Sequence, residues 1–179
     1  WGARKILAEL SGLSVNDTTN QHTCALVFGK ERRPDKSKFV YTDLSEMFPG
    51  YTFDKFEGSS YRGEDPGEGG YVYSEPGYYE NVALLDVASM HPTSIEQLNL
   101  FGPYTQRYSE LKQARVAIKH KDMDALSKLF DGRLVEIAKN YDLDELGKAL
   151  KIPINSMYGL TSAKFDNPAL DRYLFFTGI

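Results

Sequence analysis

Two short stretches of this chain carry polar groups at spacings that chemistry can use. The first reads Asp86-Val87-Ala88-Ser89-Met90-His91-Pro92-Thr93-Ser94-Ile95. Asp86 sits at the end of an apolar run, so on a strand its carboxylate is held rigidly at the strand end. The polar turn after it opens a helix, whose first N–H groups lack intrahelical partners and favour an anion such as phosphate. One carboxylate beside a phosphate cradle is half of a Mg²⁺ site, because that ion takes few protein carboxylates and completes its shell with phosphate and water. The plain alternative is that Asp86 merely caps the next helix. The second stretch reads Lys151-Ile152-Pro153-Ile154-Asn155-Ser156-Met157-Tyr158-Gly159. On a helix, Lys151, Asn155 and Tyr158 fall at i, i+4 and i+7 and share a face that offers a cation, an amide and a phenol. Those groups suit, in order, a triphosphate, a sugar or base edge, and a stacked base pair. An ordinary amphipathic helix with a polar stripe has the same pattern. Pro153 removes one helical hydrogen bond, so a kink or a late helix start is expected there.

The elements that must position these groups follow from the hydrophobic pattern. Residues 81–87, NVALLDV, read as a strand. Residues 89–99 follow with a Pro-containing turn and helical spacing at Ile95, Leu98 and Leu100. Residues 104–151 are almost wholly helix-forming, broken around 120–122 and at Gly132. That predicts two or three packed helices with Asp122 and Asp142 as N-caps. Upstream, Ile6, Leu7 and Leu10 predict a helix over residues 3–10 with Gly12 as its stop. Residues 23–28 read as a short apolar strand or a buried helix turn, and 31–38 as a charged loop. Between Phe48 and Gly77, seven glycines and three prolines mark a loop or hairpin connecting two lobes. A strand half followed by a helical half points to an α+β fold rather than alternating α/β.

At 179 residues, 41% apolar and 26% charged, the chain has the length and composition of one globular domain, with room for an appended lobe. Its apolar runs fall short of the ~18 residues a membrane span needs. There is no secretory signal at Trp1 and no initiator Met, so the sequence is expected to be a cut piece of something larger. Cys24 has no partner for an internal disulfide, which fits a reducing compartment and a small core residue. The net charge of −4 is uneven. Residues 1–103 hold 9 basic against 15 acidic side chains, a balance of −6, whereas 104–151 hold 10 against 8, a balance of +2. A polyanion is expected to touch the second block.

Taken together, the two stretches are similar to a known pattern. DVASMHPTSI resembles motif A of the family B DNA polymerases, DxxSLYPSII. KIPINSMYG resembles their motif B, KxxxNSxYG, and the two stand in the family's order. The lead-in EGGYVYSEPGYYENVALLD is similar to the family's GGxV…P…G…V…D approach to motif A. The helical interval between the motifs resembles the family's fingers. The resemblance covers residues 69–159; residues 1–68 are placed only as the region before the palm.

The resemblance implies an antiparallel palm-sheet fragment with a helical fingers insertion. Residues 1–80 would be a pre-palm region with connecting loops and 81–103 the palm segment with motif A. Residues 104–158 would be the fingers with motif B, and 159–179 a truncated return to the palm. It implies a DNA-directed DNA polymerase that joins a dNTP to a primer 3′-hydroxyl with two Mg²⁺ ions. Asp86 would be the first metal-binding carboxylate, backed by the Val87 carbonyl. The amides of Ser89 and Met90 would hold the β- and γ-phosphates, and His91 would lie under the sugar. Lys151 would neutralise the triphosphate, with Arg115 and then Lys119 beside it on the first fingers helix. Asn155 would lie near the incoming nucleotide, and Tyr158 with Gly159 would face the nascent pair from the minor-groove side. The implied partners are primer–template DNA, dNTP and the remaining exonuclease, palm and thumb parts of a polymerase, with no membrane. A phage or viral replicase is the expected origin, working in a bacterial cytoplasm or a viral replication compartment.

The pattern departs from the family in two places. His91 stands where the family has a Tyr whose ring excludes a ribose 2′-hydroxyl, so looser sugar selection is expected. The family's second metal carboxylate belongs to a D-T-D hairpin after motif B, and Asp166 and Asp171 are wrongly spaced to supply it. The fragment alone is therefore expected to be inactive. Two other readings stand beside this one: a non-catalytic module that binds nucleotide or nucleic acid, and a helical interaction domain with accidental motif matches.

Overall fold

The computed structural model describes residues 1–29, 32–40, 44–54, 56–65, 72–87 and 89–161. In chain order its elements are α1 (Gly2–Ser11), α2 (Thr19–Phe28), α3 (Leu44–Met47), β1 (Tyr51–Asp54), β2 (Gly58–Tyr61), α4 (Met90–Gln97), α5 (Thr105–Lys119), α6 (Met123–Ser127), α7 (Arg133–Ala138) and α8 (Leu143–Thr161). The described part is thus helix-rich with one small antiparallel hairpin, an α+β composition in the broad sense.

The longest helix, α8, is the hub. Leu146, Leu150, Ile154 and Met157 form its buried stripe, and α1, α2, α4 and α5 all pack against it. Fully burying one such side chain is worth about 1.5–3 kcal/mol, so α8 and its neighbours carry most of the core. In α2 every residue from His22 to Phe28 is buried, which is why its sequence shows no polar face. Its start is fixed by a capping box: Gln21 N–H donates to the Thr18 hydroxyl, and Thr18 N–H donates to the Gln21 side chain. Cys24 lies in this core, where burial pushes its thiol up to about 11 and keeps it inert.

Local signals hold where the sequence placed them. Gly12 ends α1 with φ 71°, in the left-handed region that suits glycine. Asp122 accepts from Ala125 N–H at 2.9 Å, and Asp142 accepts from Asp144 and Glu145 N–H, capping α6 and α8. The helical half contains four helices, α5 to α8, rather than two or three. The break expected at Gly132 spans Phe130 to Gly132, all with positive φ, and the extra break lies at residues 139–142, between α7 and α8. At Gly102 (φ 54°) a Cβ would lie 1.9 Å from the Lys38 carbonyl oxygen, so only glycine lets residues 38–40 approach the α4–α5 joint. Among the described residues no helix is long and apolar enough to cross a membrane.

Two expectations fail. Residues 81–87 are not a strand: they run exposed, and Leu84 and Leu85 are 95% and 91% exposed. A strand must satisfy its N–H and C=O groups on a neighbour, and among the described residues β1 and β2 pair only with each other. No described segment lies in register with 81–87, so its apolar residues have no sheet to cover. The sheet that does form lies earlier, at residues 51–61, within the glycine- and proline-rich connection. Second, the late helix start offered for Pro153 does not occur; α8 begins at Leu143 and continues through Pro153, which is buried. Pro153 packs in the core with Leu150, Ile154 and Met157, and the Tyr108 hydroxyl of α5 donates to the Ile154 carbonyl at 3.1 Å, tying α8 to α5 there. Residues 162–179, with Asp166 and Asp171, lie outside the described residues, as does nearly all of the expected return to a palm.

Candidate functional site

The site is built around the first turn of α4. Ser89, the residue before it, has φ 53° and ψ 53°, a left-handed conformation that non-glycine residues adopt only under constraint. Its side chain makes no capping bond, and the first intrahelical bond runs from Thr93 N–H to the Ser89 carbonyl at 3.0 Å. Pro92 has no N–H, so within this first turn only Met90 and His91 carry backbone donors that lack an i−4 partner in the helix. Ser89 and Met90 are exposed, while Ile95 is wholly buried and anchors the helix below them.

His91 connects this turn to α8. Its imidazole stacks on the Tyr158 ring with centroids 3.7 Å apart and planes 15° from parallel. Two residues singled out in separate stretches of sequence are thus in face-to-face contact. The His91 Nδ1 atom is buried without a hydrogen-bond partner among the described residues. Desolvation holds His91 below its ordinary pKa, which favours the uncharged imidazole in the stack.

On α8 the predicted polar face exists. Lys151, Asn155 and Gly159 are exposed and Tyr158 is half-buried, on the side opposite Leu146, Leu150 and Ile154. The Lys151 and Asn155 side chains make no hydrogen bond or ion pair among the described residues, so their polar heads are available to a ligand. On α5, Arg115 is half-buried and Lys119 exposed, on the same flank as Lys112. Asp86 and Val87 are exposed on the extended segment before α4, and Asp86 does not cap that helix, since Ser89 precedes it. Asp86 also makes no ion pair among the described residues.

These residues fit a divalent cation only in part. Asp86 and the Val87 carbonyl put two oxygen donors on adjacent, solvent-facing residues, as a hard cation requires. Among the described residues, however, no group of three or more His, Cys, Asp or Glu side chains gathers. The described part supplies one arm of such a site and not the whole.

Sequence reasoning missed two neighbours of the turn. A groove of about 260 Å³ is lined by Met47 and Phe48 beside α3, Val87, and Met90 and Leu98 around α4. The second is Lys112, whose ammonium donates to the Thr93 hydroxyl at 3.2 Å and pairs with the Glu96 carboxylate. A Thr-x-x-Glu spacing facing a helix that carries a lysine was the available signal, but it is common to many solvated faces. No family model, curated protein or solved structure matches this chain.

Proposed function

We propose that this chain carries the nucleotide-binding half of a DNA polymerase site resembling family B, for transfer of a nucleotidyl group from dNTP to a primer 3′-hydroxyl. The observation that carries the reading is the His91–Tyr158 stack. The two stretches are read separately, from the spacing of their polar groups and from motif likeness, and serving one ligand would require them to meet.

In this reading the amides of Ser89 and Met90 at the α4 turn receive phosphate oxygens, and Lys151 balances the triphosphate charge from α8. Arg115 and Lys119 extend that positive flank. Asn155 meets the nucleotide beyond Lys151, and Tyr158 with Gly159 supports the nascent pair. Tyr158 also covers one face of the His91 ring, which fixes the imidazole under the sugar. Because imidazole is smaller than phenol, ribose is rejected less strongly than by the family's Tyr, and His91→Tyr raises the preference for dNTP over rNTP. Asp86 and the Val87 carbonyl hold one side of the metal site; Mg²⁺, when bound, supplies charge neutralisation and activates the attacking hydroxyl. The 81–87 segment would gain its sheet partner from other parts of the polymerase, and the palm-and-fingers division belongs to this proposal. The 179-residue chain alone is expected to extend no primer.

The test is a calorimetric titration of the 179-residue chain with dATP and Mg²⁺. Saturable binding is expected, weakened about tenfold, or 1.4 kcal/mol, by Lys151→Ala and unaffected by Lys139→Ala, an exposed lysine at the end of α7 outside the candidate site. Equal affinities for all three proteins would count against the reading.

A further inference from the structure

The α4 helix has eight residues, too few to be stable in isolation, and left-handed residues flank it at Ser89 and Asn99. Its rotation about its own axis is therefore set by tertiary ties. Three are visible. Ile95 sits in the core, His91 lies on Tyr158 of α8, and Lys112 of α5 reaches both Thr93 and Glu96. Thr93 and Glu96 are one turn apart on a single face of α4, so one ammonium grips that face at two points. The grip is not a loose surface pair: the side chains of Lys112 and Glu96 are only 25% and 18% exposed. Removing one partner of a largely desolvated pair leaves the other charge stranded, and the cheapest relief is for that charge to swing to water. For Glu96 the swing turns α4, and His91 lies just over one helical turn away.

We propose that Lys112 is the positioning residue of this site: its grip on Thr93 and Glu96 sets the rotation of α4 that lays His91 on Tyr158 and aims the α4 turn at its ligand. The identity of that ligand rests on the nucleotide-binding reading above; the control of ring geometry does not. Lys112 touches none of the residues assigned to the ligand; it meets the first motif only at Thr93 and acts through α4. Its aliphatic stem also walls the cleft between α4, α5 and α6, so a substitution of equal length keeps the packing while removing the charge.

The experiment follows the His91 ring protons by NMR in the 179-residue chain. Stacking at 3.7 Å shifts them upfield, and Tyr158→Leu gives the unstacked reference. Lys112→Met is expected to move the signal most of the way to that reference, and Glu96→Gln part of the way. Lys112→Arg and the swap Lys112→Glu with Glu96→Lys are expected to keep or restore it. Affinity for Mg²⁺·dATP should fall about tenfold only in the variants that lose the stack. A wild-type His91 signal in both Lys112→Met and Glu96→Gln overturns the proposal. If the ring moves as expected but the wild-type chain binds no Mg²⁺·dATP, Lys112 keeps its positioning role and the nucleotide reading falls.

Discussion

The helical hub and the segment leading to α4 treat the same kind of side chain in opposite ways. Around α8, leucines at helical spacing disappear into a shared core, and Leu146 and Leu150 are fully buried. Before α4, Val82, Leu84, Leu85 and Val87 face solvent, and most of the exposed large apolar side chains among the described residues fall between Met47 and Met90. The difference lies in pairing. A helix satisfies its own backbone and needs only a neighbour for its apolar stripe, whereas a strand needs a neighbour for every peptide group. The hub is self-sufficient and the 81–87 segment is not. The α4 helix stands at their junction, held on the hub by Ile95, Lys112 and the His91 stack.

The sharpest way to break this contrast is to truncate one leucine on each side. Leu150→Ala should cost about 2–5 kcal/mol in chemical denaturation, through lost burial and the cavity left behind. Leu84→Ala should stay within about 0.5 kcal/mol. A large loss at Leu84 would mean that the segment is packed in solution and the contrast is wrong.

The hub also contains a group that should make it acid-sensitive. His22 is fully buried, with Nδ1 2.8 Å from the Ser11 hydroxyl and Nε2 unpartnered among the described residues. Burial is the main cause of its lowered pKa, with nearby Asp17 opposing the shift. The unfolded chain therefore takes up this proton more readily than the folded one. Stability is complete above about pH 6.5 and falls as pH drops below it, by up to about 1.4 kcal/mol per unit. His22→Gln should flatten that slope in pH-dependent denaturation, and an unchanged slope would place the sensitivity elsewhere. His91 has the same sign, on the other side of the junction.

A smaller effect is expected at the helix caps. Asp142→Ala removes the acceptor for two N–H groups at the start of α8 and should cost about 1 kcal/mol by thermal melting. The exposed pair Lys139–Glu136 should be worth no more than about 0.5 kcal/mol, and its loss should leave the hub unchanged.

Sequence was a good guide where the determinant is local. Gly12, Asp122, Asp142 and the polar face of α8 follow from spacing and capping chemistry, and each is where those rules put it. It was a poor guide where the determinant is distant. The run NVALLDV has the composition of a strand, but composition names no partner. Pro153 carries a helix-breaking signal, yet α8 runs through it with the proline buried in the core. Lys112 joins Glu96 from a separate helix, and no local pattern marks that pair. The His91–Tyr158 contact depends on the packing of α4 against α8, which neither motif encodes alone.

The most direct measurement is a double-mutant cycle on Mg²⁺·dATP affinity with His91→Ala, Tyr158→Ala and the pair together in the 179-residue chain. If the two rings form one platform for one nucleotide, each single change weakens binding about tenfold and the double change little more, a coupling of at least roughly 1 kcal/mol. Losses that simply multiply, or the same affinity in all four proteins, would contradict the account.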